Sequence, residues 1–513
     1  MTEGQPVGVR PGPGRWRAAL LVVLSLHAVV ALGMVVKLVR PRQIEVPPEM
    51  AALGELVGAV ESLPYWIYLS CWLLTAVLAA VAGLHRWSAR DPAGLPGAVA
   101  RRYRGALVVM LLLPFAVMSL PLVPLLAWPG AWVATFLLCV PTTAYALMVM
   151  HCAQRFRRIP VRLPLAAFGW GAVIATGFGG TMNDWWSGFA TLHFPLPENP
   201  LDATYLREIG APIVAGFFEE FGKAAGVAVL FVLHRRHFDG VVSGIVIGAA
   251  TGIGFNFTES LAYMSEWGGA SANFHHWGRQ ALGLMAAHTA FTAVIGAGFG
   301  LARQVSGRAR RLTAVGVGFL TAAGAHFCND SVIGYVARHP LRLIPAGEAA
   351  GILIVLPAQI LLLQGPLVVL YVMLLRRGLR SQAGGLEAAL GSLPPEARRA
   401  ITSDEAALLL SPARRFRLKV DALRARGSLR ERLAAYRRLS RLHAAQFDLA
   451  TERWHRLRGE ADPAAPDDAA LCERILELKG APEGRHVCAS PPAPRAPLSP
   501  VPMPAPAGGK DAP

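Results

Sequence analysis

The sequence predicts an all-α, polytopic membrane helix bundle of about ten spans with a small cytoplasmic helical region. Three observations carry that prediction. Of 513 residues, 53% are apolar and only 16% are charged, against about a quarter charged in ordinary soluble domains. Apolar stretches of about 20 residues, the length that crosses a bilayer's hydrocarbon core, recur along the first three quarters of the chain. Arg and Lys cluster in alternate connections between those stretches. Together these exclude a soluble enzyme, a disordered chain and a disulfide-stapled secreted domain. The net charge is +17 and only five of the 50 basic residues are Lys. The six cysteines, Cys71, Cys139, Cys152, Cys328, Cys472 and Cys488, show no CxxC spacing. They read as small buried apolar residues plus two tail thiols, with no zinc knuckle or disulfide framework.

The first stretch, 18–39, follows Arg10, Arg15 and Arg17. It is long for a signal peptide's apolar region and lacks a small-residue cleavage site, so it reads as a retained helix. Further spans are expected at 65–84, 105–127, 130–150 and 165–183, then at 209–233, 240–264, 280–303, 312–334 and 350–375. Pro114, Pro121, Pro124 and Pro129 interrupt the third and fourth. Kinks or a re-entrant piece are tolerated there if buried in protein. One set of connections carries 21 basic residues near the span ends, among them Arg101, Arg102, Arg104, Arg155, Arg157, Arg158, Arg308, Arg310 and Arg311. The opposite set carries 7: Lys37, Arg40, Arg42, Arg207, Arg279, Arg338 and Arg342. The asymmetry places both termini in the cytoplasm, in a cell membrane, and an even number of spans agrees.

Beyond 376 the chain turns charged with helical periodicity. Thr402 with Glu405, and Ser428 with Glu431, fit capping boxes; Ser411–Pro412 fits an N-cap with Pro at the first helical position. Phe416, Val420 and Leu423, then Leu429, Leu433, Tyr436 and Leu439, continue apolar stripes ended and restarted at Gly427. The expected organisation is a cytoplasmic N-terminus at 1–17, a five-span scaffold at 18–183 and an extracytoplasmic loop at 184–208. A second five-span domain follows at 209–375, a basic helical hairpin at 376–460 and a disordered Pro/Ala-rich tail at 461–513. The hairpin's Arg-rich faces suit anionic lipid or simple solvation; no nucleic-acid partner is expected.

Ionisable residues inside spans are costly and mark function. The first five spans hold almost none, His27 being read as a packed histidine. The sixth to ninth hold Glu219, Glu220, Lys223, Glu259, His288, His326 and Asp330. At 1.5 Å per residue from the outer span ends, Glu219 lies about 15 Å deep, His288 and His326 about 12 Å, Glu259 about 8 Å and Asp330 about 6 Å. Four helices therefore put acids and imidazoles at similar depth, as a shared water-filled cavity opening outward requires. Glu219 and Lys223 are four apart and suit an ion pair. Glu220 points about 100° away from Glu219, so one carboxylate is expected to be held by the lysine while the other faces the histidines. Gly240, Gly244, Gly248 and Gly252 form a ladder for close helix packing. The chemistry that fits is water activation by a carboxylate with imidazole polarising a carbonyl. The same groups suit Zn²⁺ held by His288, His326 and Glu259 with one position open, although HExxH is absent.

The run PIVAGFFEEFGKAAG, then FDGVVSGIVIGAATGIGFNFTESLAYM, AAHTAF and AHFCND, resembles the PrsW family of intramembrane proteases, relatives of the CAAX prenyl endopeptidase-like membrane proteases. The shared motifs are E-E-x-x-K at Glu219, Glu220 and Lys223, G-F-x-x-x-E at Gly254, Phe255 and Glu259, His288, and H-x-x-x-D/N at His326 and Asp330. The family usually has Asn after the third Glu, where this chain has Ser260. The resemblance implies cleavage of membrane-anchored proteins, such as anti-sigma factors, near their outer face. In that reading Glu219 or Glu220 is the general base and Lys223 its ion-pair partner. His288 and His326 stabilise the oxyanion or ligate a metal, and Glu259 and Asp330 orient them. It leaves open whether the cofactor is none or one divalent metal. The competing readings are a proton-coupled transporter and a catalytically silent signalling scaffold. Against the transporter, the first five spans lack counterparts to the charges of the later ones.

Overall fold

The computed structural model describes residues 13–39, 51–88, 97–119, 129–193, 210–267, 272, 275–338, 351–460 and 465–480. Among the described residues every regular element is helical. The first half contributes α1 (Pro13–Val39), α2 (Ala51–Ser88), α3 (Gly97–Met118) and α4 (Pro129–Ala153). Then come α5 (Arg162–Gly169), a π-helical segment Trp170–Ala175, and α6 (Thr176–His193). The second half opens with a π-helical segment Ala215–Glu219 that runs into α7 (Glu220–Leu233). It continues with α8 (Val241–Trp267), a π-helical segment His276–Leu282, α9 (His288–Gln304) and α10 (Arg308–Arg338). After α11 (Leu356–Gln359), α12 (Gly365–Gly391) leads into α13 (Ser403–Leu409), α14 (Pro412–Arg424), α15 (Leu429–Leu457) and α16 (Asp468–Lys479).

Seven helical stretches among the described residues are long and apolar enough to span a membrane: 14–35, 66–85, 130–153, 162–183, 241–265, 308–332 and 353–391. The chain is a multi-pass membrane protein. Three of the ten expected spans fall outside that set for visible reasons. The third carries Arg101, Arg102 and Arg104 at its start and Pro114 inside it, and 120–128 lies outside the described residues. The sixth holds Glu219, Glu220 and Lys223. The eighth is α-helical for only 17 residues, because the backbone before His288 is a π segment and a turn.

The outer helices show large apolar side chains on their surfaces, including Leu73, Leu137, Leu361 and Leu362, as lipid contact requires. Helix α8 is the opposite: from Val241 to Asn256 every residue is buried. Its glycine ladder explains that position. A Cβ on Gly244, Gly248 or Gly252 would collide with a carbonyl oxygen of α9, at Gly296, Thr292 and His288 respectively. Gly254, on another face, has no more room against Phe168. The backbones of α8 and α9 therefore touch, the packing role expected of small residues between membrane helices. His27 is satisfied in the core, 2.6 Å from the Tyr68 hydroxyl and 2.8 Å from the Leu111 carbonyl.

Both expected capping boxes and the Ser411 N-cap form as read, and Gly427 breaks the chain at φ 137°. Two expectations fail here: Cys152 and Cys328 are exposed rather than buried, and the tail is partly ordered. Residues 465–480 are no disordered tail: Asp467 caps α16, Gly480 ends it in the left-handed conformation, and Leu471, Cys472 and Ile475 are buried. They pack with Leu386, Ile401, Leu409 and Leu449. The Pro and Ala content of 461–513 as a whole hid this short amphipathic run, and Cys472 is a core residue. Residues 481–513, with Cys488, lie outside the described residues.

Candidate active site

The π segment Ala215–Glu219 sits where helix seven meets α10: Gly216 lies against the backbone of Ala323 and Phe327, where a Cβ would crowd them. Such π turns recur at functional sites because they re-aim side chains. Gly179 of α6 leaves room for the Glu219 side chain on the other flank. With α9 held to α8 by glycine contacts, His288 at the start of α9 and His326 on α10 are brought to the same point.

All seven expected residues join one network. The Lys223 ammonium donates to Glu219 Oε2 at 3.2 Å, Glu220 Oε1 at 2.8 Å and His288 Nδ1 at 3.0 Å. It also lies 3.7 Å from the centre of the Phe255 ring. His326 Nδ1 donates to Glu220 Oε1 at 3.0 Å. Its Nε2 is 3.3 Å from Asp330 Oδ2 and 3.8 Å from Glu219 Oε2. His288 Nε2 is 2.6 Å from Glu259 Oε2, which Arg279 Nη1 also reaches at 2.7 Å. The two imidazoles stand edge to face with centroids 5.0 Å apart. Glu220 and Lys223 are fully buried; a cluster this deep is tolerable only because each charge meets an opposite charge or a donor.

The expected division of labour between the two glutamates does not occur. Lys223 serves both. Measured from Lys223, Glu219 is four residues back and Glu220 three, so the two flank the lysine on one helix face although they diverge from each other. Glu220, the closer of the two, is also the one bonded to His326. Its second oxygen, Oε2, has only Thr292 Oγ1, at 3.4 Å. Glu219 is steadied instead by Asn183 Nδ2, at 2.8 Å.

Three contributors were not singled out in the sequence. Asn183 is neutral, and a search for ionisable groups passes over it. Arg279 looks like a loop charge but is drawn inside by Glu259, its guanidinium 4.3 Å from the Tyr263 ring. Gln280 donates to Ser260 Oγ at 2.9 Å, and Ser260 in turn donates to the Asn256 carbonyl at 2.6 Å. The serine thus ties α8 to the π segment 276–282.

For a metal, Glu219, His288 and His326 each offer a ligand atom, and these atoms lie within 4.8 Å of one another. Two imidazoles and a carboxylate are a catalytic zinc set, so the residues fit such an ion. Glu259 lies behind His288, on its Nε2, in the position of a carboxylate that orients a ligand.

Four helices of this membrane protein converge on a carboxylate, ammonium and imidazole cluster, a donor set able to activate water. Residues 159–362 match the family model described as PrsW family intramembrane metalloprotease, and the match supports a PrsW-family reading of that segment. The match contains all seven network residues and leaves out α1 to α4 and α12 to α16. No curated protein and no solved structure matches the chain.

Proposed function

We propose that the chain is an endopeptidase that hydrolyses membrane-anchored proteins, with Glu220 as the general base. The observation that carries this reading is the asymmetry of the Glu220 carboxylate. Oε1 is held by Lys223 and His326, while Oε2 is left with one long contact to Thr292 and is the oxygen free to take a proton from water. With Nδ1 held by Glu220, His326 Nε2–H, which faces Asp330 at 3.3 Å, would turn to the developing oxyanion in the metal-free form, Asp330 positioning the ring. Glu259, fixed by Arg279, positions His288. A divalent ion on Glu219, His288 and His326 would supply Lewis-acid activation of the water or carbonyl.

Side-chain exposure supports an entrance. It rises from 0% at Glu220 and Lys223 through 16% at Glu259 to 26% at Arg279 and 33% at Asp330. The accessible end lies towards the C-terminal ends of α8 and α10, which the distribution of basic residues assigns to the extracytoplasmic side. Substrates of the anti-sigma-factor kind, anchored by one span and cut near the outer face, suit that opening. Both termini are then cytoplasmic, and the exposed Phe416 and Leu429 on the Arg-rich helices suit an anionic lipid surface.

The test is N-terminal proteomics of membrane fractions from cells carrying the wild type or Glu220→Gln. Extracytoplasmic neo-termini present only in the wild type are expected. Identical terminomes in both strains, with the variant stably inserted, would sink the peptidase and favour a transporter or a silent scaffold.

A further inference from the structure

Where the cytoplasmic helices meet the membrane domain there is a cavity of about 590 Å³, within the size range of small-molecule sites. Its walls come from the 154–162 loop, the turn at 236–237, and α14, α15 and α16. Arg155, Arg158, Arg162, Arg415, Lys419 and Arg474 all line it. The lining carboxylates Asp448 and Glu452 are both taken by Arg157. Arg415 is 9% exposed. One of its nitrogens donates to the Arg155 carbonyl, its guanidinium lies 4.7 Å from the Phe447 ring, and its Nε has no partner. Ser440 Oγ and buried His443 Nδ1, on the same wall, are also without partners.

We propose that this cavity binds a small anion bearing two or more phosphate groups. Buried cations and donors left unpaired are costly, and guanidinium forks match phosphate oxygens. Several cations around one cavity exceed what a single carboxylate would neutralise. The local field agrees: burial and Arg158 hold Arg415 down to about 10, and burial, Lys419 and Arg415 hold His443 down to about 4. A bound polyphosphate would bridge α14, α15 and the 154–162 loop, pinning the cytoplasmic unit to the membrane domain. The same chemistry is carried by a soluble polyphosphate and by a diphosphate lipid headgroup.

Purified full-length protein in phosphatidylcholine nanodiscs would be titrated with sodium tripolyphosphate. In parallel, its thermal midpoint would be compared in discs with and without cardiolipin. Saturable binding of tripolyphosphate at one site per chain identifies a soluble ligand; a midpoint raised only by cardiolipin identifies the headgroup. In either arm Arg415→Gln should weaken the effect by about tenfold, one charge-assisted contact. The exposed pair Arg158→Gln/Arg474→Gln should weaken it without disturbing the fold. Exposed Arg430→Gln/Arg437→Gln, off the cavity, should leave it unchanged. Failure of both probes to act, or equal losses from the cavity and off-cavity variants, would overturn the proposal.

Discussion

Where the C-terminal helices meet the membrane helices, Arg157 donates to Asp239 at 3.0 Å and Asp448 at 3.1 Å, with Glu452 at 3.7 Å and the Arg236 carbonyl at 3.1 Å. In the membrane Lys223 donates to two carboxylates and an imidazole at 2.8–3.2 Å. Both are buried ionic networks built around one cation, and both join distant parts of the chain. Their difference lies in what surrounds the cation. Arg157's fork is filled by carboxylates and a carbonyl, and Asp239 is further held by His455 Nε2 at 3.3 Å: burial opposes the charge on Asp239, yet Arg157 holds its carboxyl below the usual range. Around Lys223 every carboxylate also touches an imidazole or an amide, and Glu220 keeps an oxygen almost free. A network whose acceptors are all taken ties elements together; one that leaves a carboxylate oxygen open beside imidazoles can move protons. Burial of charge alone does not distinguish the two.

The comparison breaks most readily at its two cations. Lys223→Met should cost about 3–5 kcal/mol, because Glu219 and Glu220 remain buried without their counter-charge. Scanning fluorimetry of the purified protein should show a lower unfolding midpoint, and cleavage should vanish with it. Arg157→Met should cost about as much locally, but at the junction. Limited proteolysis should then release the C-terminal helices while the membrane helices stay intact and activity falls by less than about tenfold. A smaller effect is expected from ending the chain at residue 460. That removes α16 and uncovers the core of Leu386, Leu409 and Leu449, so proteolysis of α15 should quicken; an unchanged rate would show that α16 contributes nothing to docking.

The smallest effect is one of pH. Burial, then neighbouring cations, holds His443 down to about 4 and His237 down to about 3. Both are read against an unfolded value near 6.5. Their folded values are the lower ones, so their contribution is complete above about pH 6.5 and is lost as pH falls towards 4. Protection factors in α14 and α15, which divide out the intrinsic slowing of amide exchange in acid, should therefore fall across that window. Protection that is flat, or that grows on acidification, would show that these histidines do not titrate as buried neutral groups.

The sequence made the membrane network readable because charges inside apolar stretches stand out. Glu219, Glu220, Lys223, His288 and His326 needed only spacing and helix rise to be placed near one another. Its partners were harder to see. Asn183 is neutral, and Arg279 sits at the edge of a span where arginine is common. The shared use of Lys223 required measuring angles from the lysine rather than between the glutamates. In the cytoplasmic unit the caps were local and legible. The Arg157 network was not, since its partners at 239, 448 and 452 are charged residues in charged surroundings, joined only by the tertiary fold. Helix α16 was masked by the Pro-rich composition around it.

The proposed division of labour is that Glu220 moves the proton and the Arg157 network only holds. It is tested most directly in proteoliposomes containing a single-span reporter and the wild type, Glu220→Gln or Arg157→Met. The isosteric change at Glu220 should keep the fold and lower the cleavage rate by at least about 100-fold, while Arg157→Met should stay within about tenfold of the wild type. A Glu220→Gln protein that cleaves at the wild-type rate would contradict the assignment of the base.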